Sequence, residues 1–157
     1  MSILQDPETT RFFLWLFRCS SLVLVVWAAW SDWRTFDLPL SLTVPAAVVA
    51  ISGEGLFGAG WAYALLGAGG GFTILKAAQL LARLRHKKEC LGTGDAILML
   101  SLGALLGVQA LPWALALAVL AVVIAAKLCR KTKSEKIPFG PFLVGASLPV
   151  GLIQWVV

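Results

Sequence analysis

The sequence predicts an all-α polytopic membrane protein with about six transmembrane helices. Of its 157 residues, 59% are hydrophobic and 13% are charged, whereas an ordinary soluble domain is roughly half apolar and about one quarter charged. A soluble fold of this length could not cover its surface with so few polar side chains. The same composition excludes a disordered chain, a nucleic-acid-binding domain and a secreted disulfide scaffold. The length favours a single membrane-embedded domain over residues 1–157.

Six apolar runs give the expected helices, since a helix needs about 20 apolar residues to cross the hydrocarbon core. A turn is expected at Pro112 and Trp113, between the fourth and fifth helices. The third run carries glycines at 67, 69, 70 and 71, which we expect to allow close helix packing; a kink or a substrate contact is the alternative. The runs cover residues 12–30, 38–52, 56–84, 95–111, 113–128 and 140–157.

Neither a removable targeting segment nor a metal site is expected. The first ten residues include Asp6 and Glu8 and lack the basic start of a secretory signal peptide. The three cysteines (19, 90 and 129) are scattered, and the chain has one histidine. A structural zinc ion needs about four clustered ligands of these types. We therefore expect no metal and no cofactor.

The basic residues predict the orientation in the membrane. In a six-helix chain the first, third and fifth loops lie on the same side of the bilayer, and these loops hold ten of the 13 basic residues. The positive-inside rule places such loops in the cytoplasm, so both termini are expected on the extracytoplasmic side. Contact of these basic residues with the anionic headgroups of the lipid bilayer explains the net positive charge, so no nucleic-acid partner is expected. The ten are Arg34, Arg83, Arg85, Lys87, Lys88, Lys127, Arg130, Lys131, Lys133 and Lys136.

Two of the eight acidic residues are candidates for chemistry. Asp32 ends the first predicted helix and Asp95 begins the fourth, both on the expected cytoplasmic side. Converging carboxylates share a proton, so one serves as general base and the other as general acid. The alternative is that each aspartate merely caps its helix. Four others are expected to be solvated: Asp6, Glu8, Glu135 and Glu54, the last in an extracytoplasmic turn.

A short glycine motif surrounds the second candidate. Gly92, Thr93, Gly94 and Asp95 form a GxGD sequence at the start of a predicted helix. Glycine allows backbone conformations and close approaches that a Cβ would block. We expect Gly92 and Gly94 to let a peptide substrate approach the Asp95 carboxylate.

Three blocks of the chain resemble the prepilin peptidases, the type IV prepilin leader peptidase family of membrane aspartyl proteases. The first runs from Asp32 to Pro39, seven residues later. The second is Glu89-Cys90-Leu91 followed by GxGD, with Gly103 and Gly107 further along the same predicted helix. The third is Ile137-Pro138-Phe139-Gly140-Pro141-Phe142. Together the blocks span residues 28–146 in the family's order.

The resemblance implies an aspartic-type endopeptidase in which Asp32 and Asp95 are the catalytic pair. Such enzymes cut a short basic leader from prepilins or pseudopilins, just after a glycine, at the cytoplasmic face of the bacterial inner membrane. Ile97 stands where the family usually has lysine, and Leu40 stands where it usually has asparagine or aspartate. The bifunctional members carry a further region with cysteine pairs, which this sequence does not contain, so N-methyltransferase activity is left open.

Two other interpretations use the same residues. A small transporter would use Asp32 and Asp95 as ion or proton sites, although such sites are expected near the middle of the bilayer. A catalytically silent assembly subunit of a pilus or secretion system would use them structurally. Trp27, Trp30 and Trp33 are expected to form an interfacial belt, with a groove for an apolar substrate helix as the alternative.

Overall fold

The computed structural model describes residues 6–35, 38–86, 93–128 and 139–156. Every regular element within these ranges is helical, which confirms the all-α prediction. Cys90 and Cys129, which the sequence places on or near the basic loops, lie outside these ranges, as do Gly92 and Asp37. The helices are α1 (Pro7–Thr35), α2 (Leu40–Phe57), α3 (Trp61–His86), α4 (Thr93–Leu128) and α5 (Gly140–Val156).

Three stretches of the described chain are long and apolar enough to cross a membrane: Pro7–Thr35, Leu40–Phe57 and Gly94–Ala125. A shorter apolar stretch covers Gly140–Trp155. Large apolar side chains point outwards, and Trp113 is 69% exposed. Such a surface is typical of a protein whose helices are in contact with lipid.

The helix α4 bends at Gly107, where the backbone has φ 68° and ψ 171°. The turn expected at Pro112 is therefore wrong, because Pro112 lies inside helical structure. The missing N–H of Pro112 leaves the carbonyl oxygen of Val108, four residues earlier, without its intrahelical donor. The bend divides α4 into a first segment, residues 93–106, and a second segment, residues 108–128.

The two segments of α4 pass α3 in opposite directions. Residues 67 to 71 of α3 meet Gly103 and then Met99 of the first segment, moving backwards along α4. The same two glycines, Gly67 and Gly71, meet Gly107 and then Leu111, moving forwards along α4. The chain therefore reverses its direction at Gly107.

Glycines allow α3 and the first segment of α4 to touch through their backbones. A Cβ on Gly67 would overlap the carbonyl group of Gly103, and a Cβ on Gly71 would lie 2.6 Å from the carbonyl oxygen of Met99. The close packing predicted for the third apolar run is thereby confirmed at Gly67 and Gly71, whereas no atom lies within 4 Å of a Cβ on Gly69. Such contacts favour helix association in lipid, where no hydrophobic effect between helices is available.

Tyr63 stabilises the bend. Its hydroxyl donates a hydrogen bond to the carbonyl oxygen of Leu106 at 3.0 Å and accepts one from Nε2 of Gln154 at 2.8 Å. A break in a helix leaves carbonyl groups without intrahelical donors, and the tyrosine supplies one. Its ring also fills the space beside Gly107 that a Cβ would need. The contact joins α3, α4 and α5 at the end of the bundle remote from Asp32.

Glu54 is buried, and its expected position in a solvated turn is wrong. Its side chain is 0% exposed, and Oε1 lies 2.6 Å from Nε of Arg18 in α1. The helix α2 continues past this residue, because the ion pair lets a carboxylate enter the apolar bundle. Asp6 and Glu8 are exposed as expected, and Glu135 lies outside the described residues.

We predict that Gly107→Ala lowers the free energy of unfolding by about 1–3 kcal/mol, because this backbone region is almost exclusive to glycine. Steric overlap with the Tyr63 ring adds to that cost. The measurement is the folded fraction during a titration from mild detergent into SDS.

The matched control is Gly69→Ala in α3, because no atom lies within 4 Å of the place that its new Cβ would occupy. It should be neutral or stabilise by roughly 0.5–1 kcal/mol, as alanine does in a helix interior. Equal midpoints for the two variants would contradict the strain assigned to Gly107.

Candidate functional site

The two aspartates singled out from the sequence are both buried, each with 6% of its surface exposed. Asp32 lies in the last turn of α1 and Asp95 in the first turn of α4. A carboxylate is costly to bury without hydrogen bonds or a specific role. Each therefore needs structural support, and the surrounding residues show where that support comes from.

Asp32 is held by the first residue of α5. The backbone N–H of Gly140 donates a hydrogen bond to Oδ2 of Asp32 at 3.2 Å. The first N–H groups of a helix have no intrahelical acceptor, and their positive end attracts a carboxylate. A Cβ on Gly140 would lie 2.8 Å from Oδ2, so the approach requires glycine.

Leu38 connects this contact with the start of α4. Its side chain lies 3.5 Å from the position of a Cβ on Gly140 and also fills the space where Gly94 lacks a side chain. Gly94 directly precedes Asp95. Contacts therefore run from Asp32 through Gly140, Leu38 and Gly94 to Asp95, and the aspartates lie at the same end of the bundle.

The structure gives Gly94 a packing role against Leu38. Its predicted role in letting substrate backbone approach stays a prediction, and Gly92 lies outside the described residues. The sequence reasoning missed Gly140 and Leu38 as parts of the site. A signal for Gly140 was available, since it sits in the third of the blocks that carry the family resemblance, next to Pro141.

An open apolar groove of about 540 Å³ runs beside Asp32 between α1 and α5. Trp30 and Trp33 line it and are 61% and 58% exposed. The guanidinium of Arg34 lies 5.3 Å from the centre of the Trp30 ring, at the exposed rim. The interfacial belt stays a prediction, and the groove shows that two of its three tryptophans also border a cleft. The remaining lining residues are Val26, Ala29, Pro141, Val144, Gly145 and Leu148.

These features define an all-helical membrane protein that buries two aspartates at helix ends on one side of the bundle. Residues 19–127, which include both aspartates, match the model of the type IV leader peptidase family. The chain belongs to this family.

Two curated relatives carry the name prepilin leader peptidase/N-methyltransferase. The protein of Burkholderia pseudomallei (strain 1026b) is 36% identical over 118 residues, which cover 71% of this chain and 38% of the relative. The protein of Escherichia coli (strain K12) is 32% identical over 148 residues, which cover 91% of this chain and 64% of the relative. The chain thus spans less than two thirds of the length of these relatives. No solved structure shows significant similarity to it.

We predict that Gly140→Ala displaces the Asp32 carboxyl group, because the new methyl group would occupy the space beside Oδ2. The infrared band of Asp32, identified as the one that Asp32→Asn removes, should then shift in frequency. Gly145→Ala in the same helix is the control, since no atom lies within 4 Å of that Cβ position. An unshifted band in Gly140→Ala would contradict the hydrogen bond.

Proposed function

We propose that this chain is a membrane aspartyl endopeptidase, folded as a single membrane-embedded domain over residues 1–157. Its substrates are type IV prepilins or pseudopilins, whose leader peptide it cleaves at the cytoplasmic face of the bacterial inner membrane. The observation that supports this most directly is the chain of contacts between Asp32 and Asp95 in a member of the leader peptidase family. The names of the relatives agree with the proposal.

The pair would hydrolyse the peptide bond by general acid–base catalysis. One carboxylate takes a proton from water as the water oxygen attacks the scissile carbonyl carbon. The other carboxyl group donates its proton to the carbonyl oxygen. As the C–N bond of the tetrahedral intermediate breaks, the first carboxyl group gives the proton taken from water to the leaving amine. The second takes a proton back from a hydroxyl group of the intermediate, which restores the starting pair. Neighbouring carboxyl groups that share one proton supply both roles. The Gly140 N–H holds the Asp32 carboxyl group in one orientation.

The reversal at Gly107 supports a chain of six helical segments. With six crossings, the loops after the first, third and fifth segments share a face, and the basic residues place that face in the cytoplasm. Asp32 adjoins the loop after the first segment, and Asp95 adjoins the loop after the third. The proposed orientation therefore puts the candidate site on the cytoplasmic side and both termini on the other.

We predict that Asp32→Asn and Asp95→Asn each reduce leader cleavage by about 10²–10⁴-fold, the usual contribution of a general acid or base. Asparagine is nearly the same size as aspartate, so insertion into the membrane should be retained. The assay follows the mobility and the N-terminal sequence of a co-expressed prepilin with a basic leader.

Asp37→Asn is the matched control, a neighbouring aspartate that should retain substantial activity because the family spacing points to Asp32. Undiminished cleavage by the Asp32→Asn enzyme would refute the assignment of the pair. Loss of cleavage in Asp37→Asn alone would move the first catalytic position by five residues.

We predict that Cys90 and Cys129 are shielded from a membrane-impermeant thiol reagent added to intact cells. The proposed topology places both at or near cytoplasmic loops. A cysteine introduced at Ala59, which is exposed between α2 and α3, should react from outside and serves as the control. Labelling of Cys90 or Cys129 in sealed cells would overturn the six-segment orientation.

A further inference from the structure

We propose that Arg18 is a positioning residue: through Glu54 and Trp155 it fixes the axial position of α5 on α1 and thereby keeps the Gly140 N–H on Asp32. The inference rests on the proposed function in so far as its effect is read from cleavage. A distance measurement tests it separately.

The ion pair between Arg18 and Glu54 is the starting observation. In the part of the chain that the structure describes, the buried carboxylates are Asp32, Asp95 and Glu54. The first two are the candidate catalytic pair, and the third has no role in that chemistry. Charged groups inside a membrane bundle are costly and usually serve a function. Removing one partner of a buried pair leaves the other charge uncompensated, which is strongly destabilising. Arg18 and Glu54 are therefore held together as a pair.

The pair also reaches α5. The guanidinium of Arg18 lies 5.0 Å from the centre of the Trp155 ring and 6.0 Å from that of Trp15. Both distances are within the range of cation–π attraction. The two indole rings meet edge to face at 6.1 Å. Glu54 holds the guanidinium through Nε, so that Arg18 links α1, α2 and the last turns of α5.

The helices α1 and α5 are antiparallel and are joined at two levels. Arg18 contacts Trp155 at one level, and Asp32 accepts the hydrogen bond from Gly140 at the other. Arg18 precedes Asp32 by 14 residues on α1, and Gly140 precedes Trp155 by 15 residues on α5. At about 1.5 Å per residue the two spans are about 21 Å and 22 Å. Because the spans match, seating Trp155 on Arg18 places Gly140 at the level of Asp32.

The groove leaves few side-chain contacts between α1 and α5 near Asp32. Beside Trp30 and Trp33, α1 and α5 border a cleft of about 540 Å³, so side chains there do not interlock the two helices. Small residues such as Gly145 present little surface to resist sliding. Along α1, the helix α5 is held by the contact at Arg18, by packing near Leu143 and by the hydrogen bond to Asp32. Its last turns are also joined to α3 by the hydrogen bond from Gln154 to Tyr63.

The first experiment replaces both charges, as Arg18→Met with Glu54→Met. Replacing a whole buried ion pair by apolar side chains is often neutral or stabilising, so membrane insertion should be preserved. We expect kcat for leader cleavage to fall by about 10-fold to 100-fold, the range expected for a small misplacement of catalytic groups, with KM little changed. Wild-type kcat in this variant would overturn the proposal.

Trp155→Leu is the second variant, because it removes the contact on α5 and leaves the ion pair intact. It should lower kcat in the same way as the double replacement. Lys76→Met is the matched control, a cation whose ammonium lies 5.8 Å from the Phe72 ring of its own helix. It should cleave at the wild-type rate, and an equal loss in this control would also overturn the proposal.

A double-mutant cycle tests whether the effect passes through Gly140. If Trp155→Leu acts by moving the Gly140 N–H away from Asp32, it should cost little further activity in a Gly140→Ala enzyme. Non-additivity of this kind is the signature of coupled positions. A purely structural role would give independent, multiplicative losses, and that result would refute the positioning role.

Pulsed electron–electron double resonance measures the position of α5 relative to α1 and does not depend on cleavage activity. Spin labels at Phe12→Cys and Ile153→Cys, both strongly exposed, report the separation of α1 and α5 in a background without native cysteines. Trp155→Leu should broaden or shift the distance distribution, and Lys76→Met should leave it unchanged. An unchanged distribution in Trp155→Leu refutes the inference. If the wild-type protein cleaves no prepilin while Trp155→Leu still changes the distance distribution, only the proposed function is refuted.

Discussion

The hydrogen bond from the Gly140 N–H to Asp32 is the contact on which the candidate site depends. It solves two problems of a membrane interior together: a helix start with unused donors and a buried carboxyl group with unused acceptors. Because the donor belongs to the backbone, its position is set by where α5 begins. The geometry of the site therefore depends more on the relative positions of the helices than on the rotamers of individual side chains.

The seating of the helices follows from the use of small residues. Where α3 meets α4, Gly67 and Gly103 bring two backbones into contact, and lipid offers no hydrophobic force that larger side chains would exploit. At Asp32 and Asp95 the same device serves a different end, because Gly140 and Gly94 make room for a carboxylate oxygen and for Leu38. Among the described residues, polar contacts between helices include Arg18 with Glu54, Ser21 with the carbonyl oxygen of Ala46, and Tyr63 with the carbonyl group beside the bend.

Much of the fold was predictable from the sequence, because apolar runs of sufficient length can only be helices in lipid. The family and the two candidate aspartates were also predictable, since their motifs are local. Hydropathy misplaced Glu54, because a window of residues along one helix contains no information about Arg18 on another. It also placed the turn within α4 at Pro112, although this proline lies inside helical structure and the break, with its positive φ, requires glycine. The third block of the family resemblance marked the position of Gly140 but not its role, since a backbone donor leaves no chemical signature in a side chain.

The bend at Gly107 also bears on the lipid around the protein. The first segment of α4 covers residues 93–106, which rise about 21 Å at 1.5 Å per residue. A typical hydrocarbon core is about 30 Å thick, and lipids next to a short segment adjust by local thinning. The acyl chains beside Asp95 would then be compressed, with the headgroup region and its water drawn towards the buried carboxyl groups. Bilayer thickness thereby becomes a physical variable of the site, one that cells set through the length of their fatty acids.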